Sequence, residues 1–217
     1  MEEYIGRLEE AILRYNGEYI LDKIKSMKDK YFEIKTEKKE ATYLFIDIRR
    51  FTQYANKLLK DNLLDDLNLY FKEMSRSILK NNGYIDSFIG DAIFAIFGLS
   101  KHNHANDACA AAIECKQNLE IVNRKAKNKG IFEFGIGINT GISMIGNIGS
   151  EYKVKYTAMG DMVNLASRME SLTAKYNTQI VISEYTKERL NKEFKIKELE
   201  IVQVKGFADK IKVYELV

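Results

Sequence analysis

The chain has 217 residues, of which 46% are hydrophobic, and its 34 basic residues against 31 acidic ones leave a net charge of only +3. That describes one globular domain with at most an appendage, and so even a split argues against a nucleic-acid surface. The longest apolar run, AIFAIFGL at 92–99, is short of the roughly 18–20 residues a membrane helix needs, and the charged opening MEEYIGRLEE does not read as a signal peptide, so the expectation is a cytoplasmic chain, or the cytoplasmic part of a larger membrane or receptor protein, with no direct membrane contact of its own.

Apolar side chains at Ile5, Leu8, Ile12, Leu13, Tyr19, Ile20, Ile24 and Met27 fit one or two amphipathic helices broken near Asn16-Gly17. Residues 35–40, KTEKKE, read as a solvated charged linker. Residues 1–40 are thus expected as a helical lead-in plus linker, and 41–217 as the main domain. YLFIDI (43–48) reads as a short apolar strand with a carboxylate near its end. Leu58, Leu63, Leu67, Tyr70, Phe71, Met74 and Ile78 recur at helical spacing, and Asn81-Asn82-Gly83 stops that helix. In 84–98, YIDSFIGDAIFAIFG, two β-prone runs flank Gly90-Asp91 in the manner of a tight hairpin.

A second helix is predicted over about 104–128, with Ala108, Ala111, Ala112, Cys115, Leu119 and Val122 inward. Cys109 and Cys115 read as reduced structural thiols, and His102 and His104 as loop and helix-start residues rather than a zinc pair. IFEFGIGI (131–138) and GISMIGNI (141–148) read as two strands joined at Asn139-Thr140-Gly141, SEYKVKY (150–156) as a loop leading to Gly160, and 161–176 as a third helix. TQIVI (178–182) reads as a strand, Ser183 as the N-cap of a short helix ending near Leu190, and 194–204 and 211–217 as closing strands. Helices and strands interleave, but two hairpins interrupt the alternation. That predicts an α+β fold, a mixed sheet with helices on one face.

Two carboxylates and one helix face could carry chemistry. Asp47 ends the first core strand and Asp91 sits at the hairpin tip. Burying a carboxylate is costly unless it is paired or bound to a cation, and two converging at a sheet edge suit Mg²⁺, which takes one or two carboxylates plus substrate phosphates. A strand-end Asp also serves as a cap and Gly-Asp as a plain turn, so pattern alone leaves both readings open. Asn164 and Arg168, four residues apart, share a helix face. Such a pair suits a sugar oxygen and a phosphate, or is an ordinary polar surface.

FIDIRRFT (45–52), FIGDAIFAIFG (88–98), FGIGINTGISMIGNIGS (134–150) and YTAMGDMVNLASRMES (156–171), in that order, resemble the class III adenylate/guanylate cyclase catalytic domain from about Tyr43 to the C terminus. RYNGEYILDKI (14–24) looks like the helical lead-in of bacterial members. The resemblance implies a ferredoxin-like core and a head-to-tail homodimer with the active site between subunits. It implies that Asp47 and Asp91 hold two divalent cations, Mg²⁺ or Mn²⁺, with the Ile48 carbonyl as a further ligand. Backbone N–H groups around Phe51 and Thr52 match the stretch that cradles the phosphates. Asn164 and Arg168 match the pair that orients the ribose and steadies the α-phosphate in the partner's site, and Lys205 looks like the lysine on the terminal phosphates.

The activity so implied is that of an adenylate cyclase, making 3′,5′-cyclic AMP and pyrophosphate from ATP without a covalent protein nucleophile. The departure is at the base. Where ATP-using members carry KxxGD, this chain has SFIGD, which puts Ser87 at the lysine position, while Thr157 keeps an adenylate-type residue at the second base-selecting position. The expectation is an ATP-using cyclase with relaxed base choice. A guanylate cyclase using GTP and a silent nucleotide-binding, dimerising module are the alternatives. Strand alternation predicts that Asp86 points away from Ser87 and does not stand in for the lysine.

Overall fold

The computed structural model describes residues 1–27, 33–57, 62–100, 103–127, 132–204, 207 and 209–217. Leu58, His102 and Lys205 lie outside the described residues. The elements begin with α1 (Glu2–Asn16), α2 (Glu18–Met27), β1 (Thr36–Ile48), α3 (Phe51–Lys57) and α4 (Leu63–Lys80). Then follow β2 (Gly83–Ile89), β3 (Ala92–Phe97), α5 (His104–Lys125), β4 (Phe134–Gly149) and β5 (Val154–Met159). The chain closes with α6 (Asp161–Lys175), β6 (Ile180–Ser183), α7 (Glu184–Lys187), β7 (Ile196–Gln203) and β8 (Lys210–Leu216). Two compact units result, a larger one of Lys39–Ser143 with Met159–Val217 and a smaller one of Met1–Lys38 with Met144–Ala158.

The strands form one sheet in the order β2-β3-β1-β4-β6-β8-β7, with β5 paired to β4. β4 and β6 run parallel, while β1/β3, β2/β3, β6/β8 and β7/β8 are antiparallel. The fold is therefore α+β with a mixed sheet. Its helices cover both faces, which corrects the one-face expectation. Leu44, Ile46 and Ile48 of β1 join Tyr70 and Met74 of α4 and Cys115 of α5 in one core. Leu165 and Met169 of α6 join Val181, Ile211 and Val213 in another. Within β6, Ile180 and Ile182 belong to the first core and Val181 to the second. A strand apolar on successive residues is one buried on both sides.

The segment FGIGI explains how α6 comes so close. Phe134, Ile136 and Ile138 fill the α4–α5 core, and Gly135 and Gly137 leave the other face bare. A Cβ on Gly137 would lie 2.0 Å from the Glu170 backbone nitrogen and 2.3 Å from the Ala166 carbonyl oxygen. The helix backbone rests directly on the strand.

Three local readings change. Residues 36–40 are strand, not linker, because a strand running past its core carries charged side chains on open positions. β4 is a single strand of 16 residues rather than two. Its turn-forming types are engaged sideways: the Asn139 amide donates to the Met162 carbonyl at 2.8 Å, and the Thr140 and Thr42 hydroxyls are 2.7 Å apart. Residues 154–159 are strand β5 rather than loop. The hairpin, with Gly90 at φ 64°, stands as expected, as does the Ser183 cap, whose hydroxyl accepts from the Thr186 N–H. Both cysteines are free and buried, and burial pushes their thiols up to about 12.

In the smaller unit, Gly17 (φ 83°) separates α1 from α2. The Tyr19 and Tyr156 hydroxyls are 3.2 Å apart, and the Lys23 ammonium lies 3.8 Å from the Tyr156 ring centre. No described helix is long and apolar enough to cross a membrane.

Candidate active site

The alternation that buries Leu44, Ile46 and Ile48 turns Phe45 and Asp47 to the opposite face of β1. β1 pairs with β3 through Ile46 and Ile93. Asp47 follows one partner and Asp91 closely precedes the other, so the two carboxylates meet at the same end of the ribbon. The Asp91 carboxyl is the neighbour that acts most strongly on Asp47, against a smaller pull from the Ile48 backbone. Burial first, then the neighbouring Asp91 carboxyl and its charge, push Asp47 up to about 6. Two acids crowded in this way form a hard oxygen site suited to a cation. Among the described residues no three His, Cys, Asp or Glu side chains converge as an all-protein metal cage. Two carboxylates are nevertheless the donor set Mg²⁺ takes when phosphates supply the rest, so the residues fit such an ion.

The chain then turns through Arg49 and Arg50. Arg50 has φ 58°, a left-handed conformation uncommon outside glycine. The Arg49 guanidinium donates to the Thr178 carbonyl. Phe51 and Thr52 open α3, Phe51 half-buried and Thr52 exposed.

β2 carries a surprise at its centre. Its register pairs Ile85 with Ala95 but Ser87 with Phe94, so Asp86 is an inserted residue, a β-bulge. Ile85 packs against the α4–α5 core, and the Phe88 ring lies 4.6 Å from Phe71 of α4. Those two bracket the bulge on one face, which leaves Asp86 and Ser87 together on the other. The Ser87 hydroxyl donates to Asp86 Oδ2 at 2.8 Å. Asp86 does not point away from Ser87 as strand alternation predicts, because the extra residue cancels one step of the alternation.

Ser87 shares its face with Asp47. Phe94 stands opposite Ser87 in one register and opposite Phe45 in the next, and the two rings stack at 4.6 Å. Two strand spacings across and two residues along put the Asp47 and Ser87 backbones about 12 Å apart.

On α6, Val163, Leu165, Ala166, Met169 and Thr173 are buried, and Asn164 and Arg168 are exposed together. Glu170 faces the sheet, since a Cβ on Gly135 would meet its carboxylate at 2.5 Å. Burial first, then repulsion from Asp47, push Glu170 up to about 7, against the pull of Arg49. Sequence reasoning missed Glu170 and Arg49, though both lie inside the quoted motifs. The signal was a charged residue next to Met169 on a helix otherwise apolar on that side. Within one chain, then, Glu170 is turned toward the paired acids while Asn164 and Arg168 face outward. Thr157, half-buried, lies on β5 in the smaller unit.

The sequence matches the family model described as the adenylate and guanylate cyclase catalytic domain over residues 33–217. It is 40% identical to the terminal-differentiation-specific adenylate cyclase of Dictyostelium discoideum over 82% of this chain and 9% of that protein. The crystal structure of the adenylyl cyclase CyaB from P. aeruginosa superposes with a TM-score of 0.77 at 33% identity, covering 84% of this chain and 96% of that one. The guanylyl cyclase Cya2 superposes equally well, at 35% identity over 83% of this chain and 93% of that one. The chain spans between 9% and 37% of the length of the first curated relatives it matches.

Proposed function

The chain belongs to the adenylate and guanylate cyclase catalytic domain family, and on that premise we propose that it converts ATP to 3′,5′-cyclic AMP and pyrophosphate. The observation that carries this reading is the convergence of Asp47 and Asp91 at one end of the β1–β3 ribbon. It sits about 12 Å from the base-reading position at Ser87, a span suited to phosphates at one end and a purine at the other.

In the reaction the ribose 3′-oxygen bonds to the α-phosphorus. The bond from that phosphorus to the β-bridging oxygen breaks, pyrophosphate leaves with the electron pair, and the hydroxyl proton passes to solvent. Two divalent cations, Mg²⁺ or Mn²⁺, supply the lowered pKa of the 3′-hydroxyl and neutralise phosphate charge when bound. Asp47, Asp91 and the Ile48 carbonyl hold them. Backbone N–H groups around Phe51 and Thr52 take the phosphates, with Lys205 on the terminal ones. Asn164 orients the ribose, and Arg168 donates its planar fork to α-phosphate oxygens whose charge shifts in the transition state. Ser87 and Thr157 meet the base.

Asn164 and Arg168 act on the partner's site in a head-to-tail homodimer. Their outward placement, on a different side of α6 from Glu170, supports this reading. Purified protein with Mn²⁺ is expected to make cyclic AMP from ATP, and Asp47→Ala to abolish it. A wild type that binds ATP in Mn²⁺ and forms no cyclic product sinks this proposal in favour of a silent nucleotide-binding module.

A further inference from the structure

We infer that Arg49 is a positioning residue for the partner's active site, which it reaches through α6; this rests on the cyclase reading above and on its shared site. Arg49 comes two residues after Asp47, where a cation reads at first as one more phosphate ligand of its own subunit. Its side chain is engaged elsewhere. The backbone N–H donates to the Glu133 carbonyl at 2.8 Å, the guanidinium donates to the Thr178 carbonyl, and Nε is closed to solvent.

The C-terminal half of α6 is what Arg49 holds. Thr178 is fastened to that helix, its N–H donating to the Thr173 carbonyl at 3.0 Å, and to β8, its hydroxyl donating to Glu215 at 2.6 Å. Glu170 and Thr173 turn toward bare Gly135, where a Cβ would meet the Glu170 carboxylate at 2.5 Å and the Thr173 hydroxyl at 2.2 Å. The Arg49 charge attracts that same carboxylate. One guanidinium thus joins the end of β1 to the last turns of α6. The start of the helix is pinned separately, by the Asn139 amide on the Met162 carbonyl. Arg168 is exposed and two residues from Glu170. Released by Arg49, α6 pivots on its pinned start, and the displacement falls on Arg168 more than on Asn164. Arg168 works in the transition state, so the loss is one of turnover rather than of substrate affinity.

The test uses mixed dimers with one intact site, made from Asp47→Ala and Asn164→Ala chains. That site takes its acids from the Asn164→Ala chain and its α6 from the Asp47→Ala chain. Arg49→Met, which keeps the side chain long and removes its charge and donors, goes into one chain at a time. In the Asp47→Ala chain it is expected to lower kcat by about 10- to 100-fold, the effect of displacing a reacting group by about 1 Å, with KM for ATP changed by less than about threefold. In the Asn164→Ala chain it is expected to change kcat by less than about threefold. Arg49→Lys, which keeps a cation without the planar fork, should recover part of the loss. As a readout besides turnover, Mn²⁺ should raise the melting temperature of Arg49→Met, in an otherwise unaltered chain, as much as that of wild type. A reversed pattern puts Arg49 on its own subunit's phosphates and overturns the inference. An equal loss from either chain, no loss from either, or a missing Mn²⁺ response overturns it too. If circular dichroism shows that Arg49→Met does not fold, Arg49→Lys carries the same comparison at smaller contrast. A parent mixture that stays dead sinks the shared site and this inference with it, whereas an active parent mixture with the wrong pattern sinks this inference alone.

Discussion

Asp47 and Glu170 are acids whose charged forms the fold penalises, Asp47 chiefly through burial and Asp91, Glu170 chiefly through burial and Asp47. With Asp47 raised to about 6 and Glu170 to about 7, the native chain keeps protons that the unfolded chain has released over roughly pH 4–7. By linkage, their contribution to stability is intact at low pH, falls as pH rises through that window and levels off above it. Asp47→Asn removes the first share. In metal-free protein at pH 7.5 it is expected to add about 1 kcal/mol after allowance for solvent screening, or about 2–4 °C for a chain of this size, and to flatten the pH slope. Mn²⁺ should stabilise wild type but not this variant, and more at pH 7.5 than at pH 5.5, because the ion competes with protons. Scanning calorimetry across pH, with and without Mn²⁺, reads all of this. Equal melting points for the two proteins at pH 7.5 without metal rule the account out.

The helix that carries Asn164 and Arg168 is placed by two missing side chains. Gly137→Ala drives a methyl into the α6 backbone, so it is expected to cost about 1–3 kcal/mol or more and to lower turnover by moving α6 off the sheet. Gly6→Ala, on α1 with nothing near its Cβ, is the contrast: neutral, or stabilising by up to about 1 kcal/mol. Thermal melts and initial rates separate the two, and a Gly137→Ala protein as stable and active as wild type contradicts the close packing. Much at this level was legible in the sequence. Periodicity located α4, α5 and α6, and Gly90-Asp91 located the hairpin, because each signal is local. The continuous β4 was not legible, since Asn139, Thr140 and Gly141 look like a turn until partners distant in the chain engage them. The bulge was hidden too. Asp86 and Ser87 alternate in the sequence like any strand residues, and only the pairing with β3 shows that one of them is extra. The site acids were legible as candidates; their contact with each other depended on the β1–β3 register.

For the assembled molecule, the proposed head-to-tail arrangement makes a sharp demand. Asp47→Ala and Asn164→Ala proteins should each be inactive. Mixed one to one, they should regain roughly a quarter of wild-type activity, because half of the random dimers are mixed and each holds one intact site of two. Specific activity of wild type should also climb with protein concentration. A mixture that stays dead while both variants remain dimeric in sedimentation contradicts a shared site. The position of β2 at the outer end of the sheet order adds a consequence of a different kind. Asp86 and Ser87 ride on the border strand, whereas Asp47 and the glycine-lined seat of α6 belong to interior strands. Under the proposed cyclase reading, a substitution at the margin of the sheet alters the choice of nucleotide without disturbing the interior strands that seat Asp47 and α6.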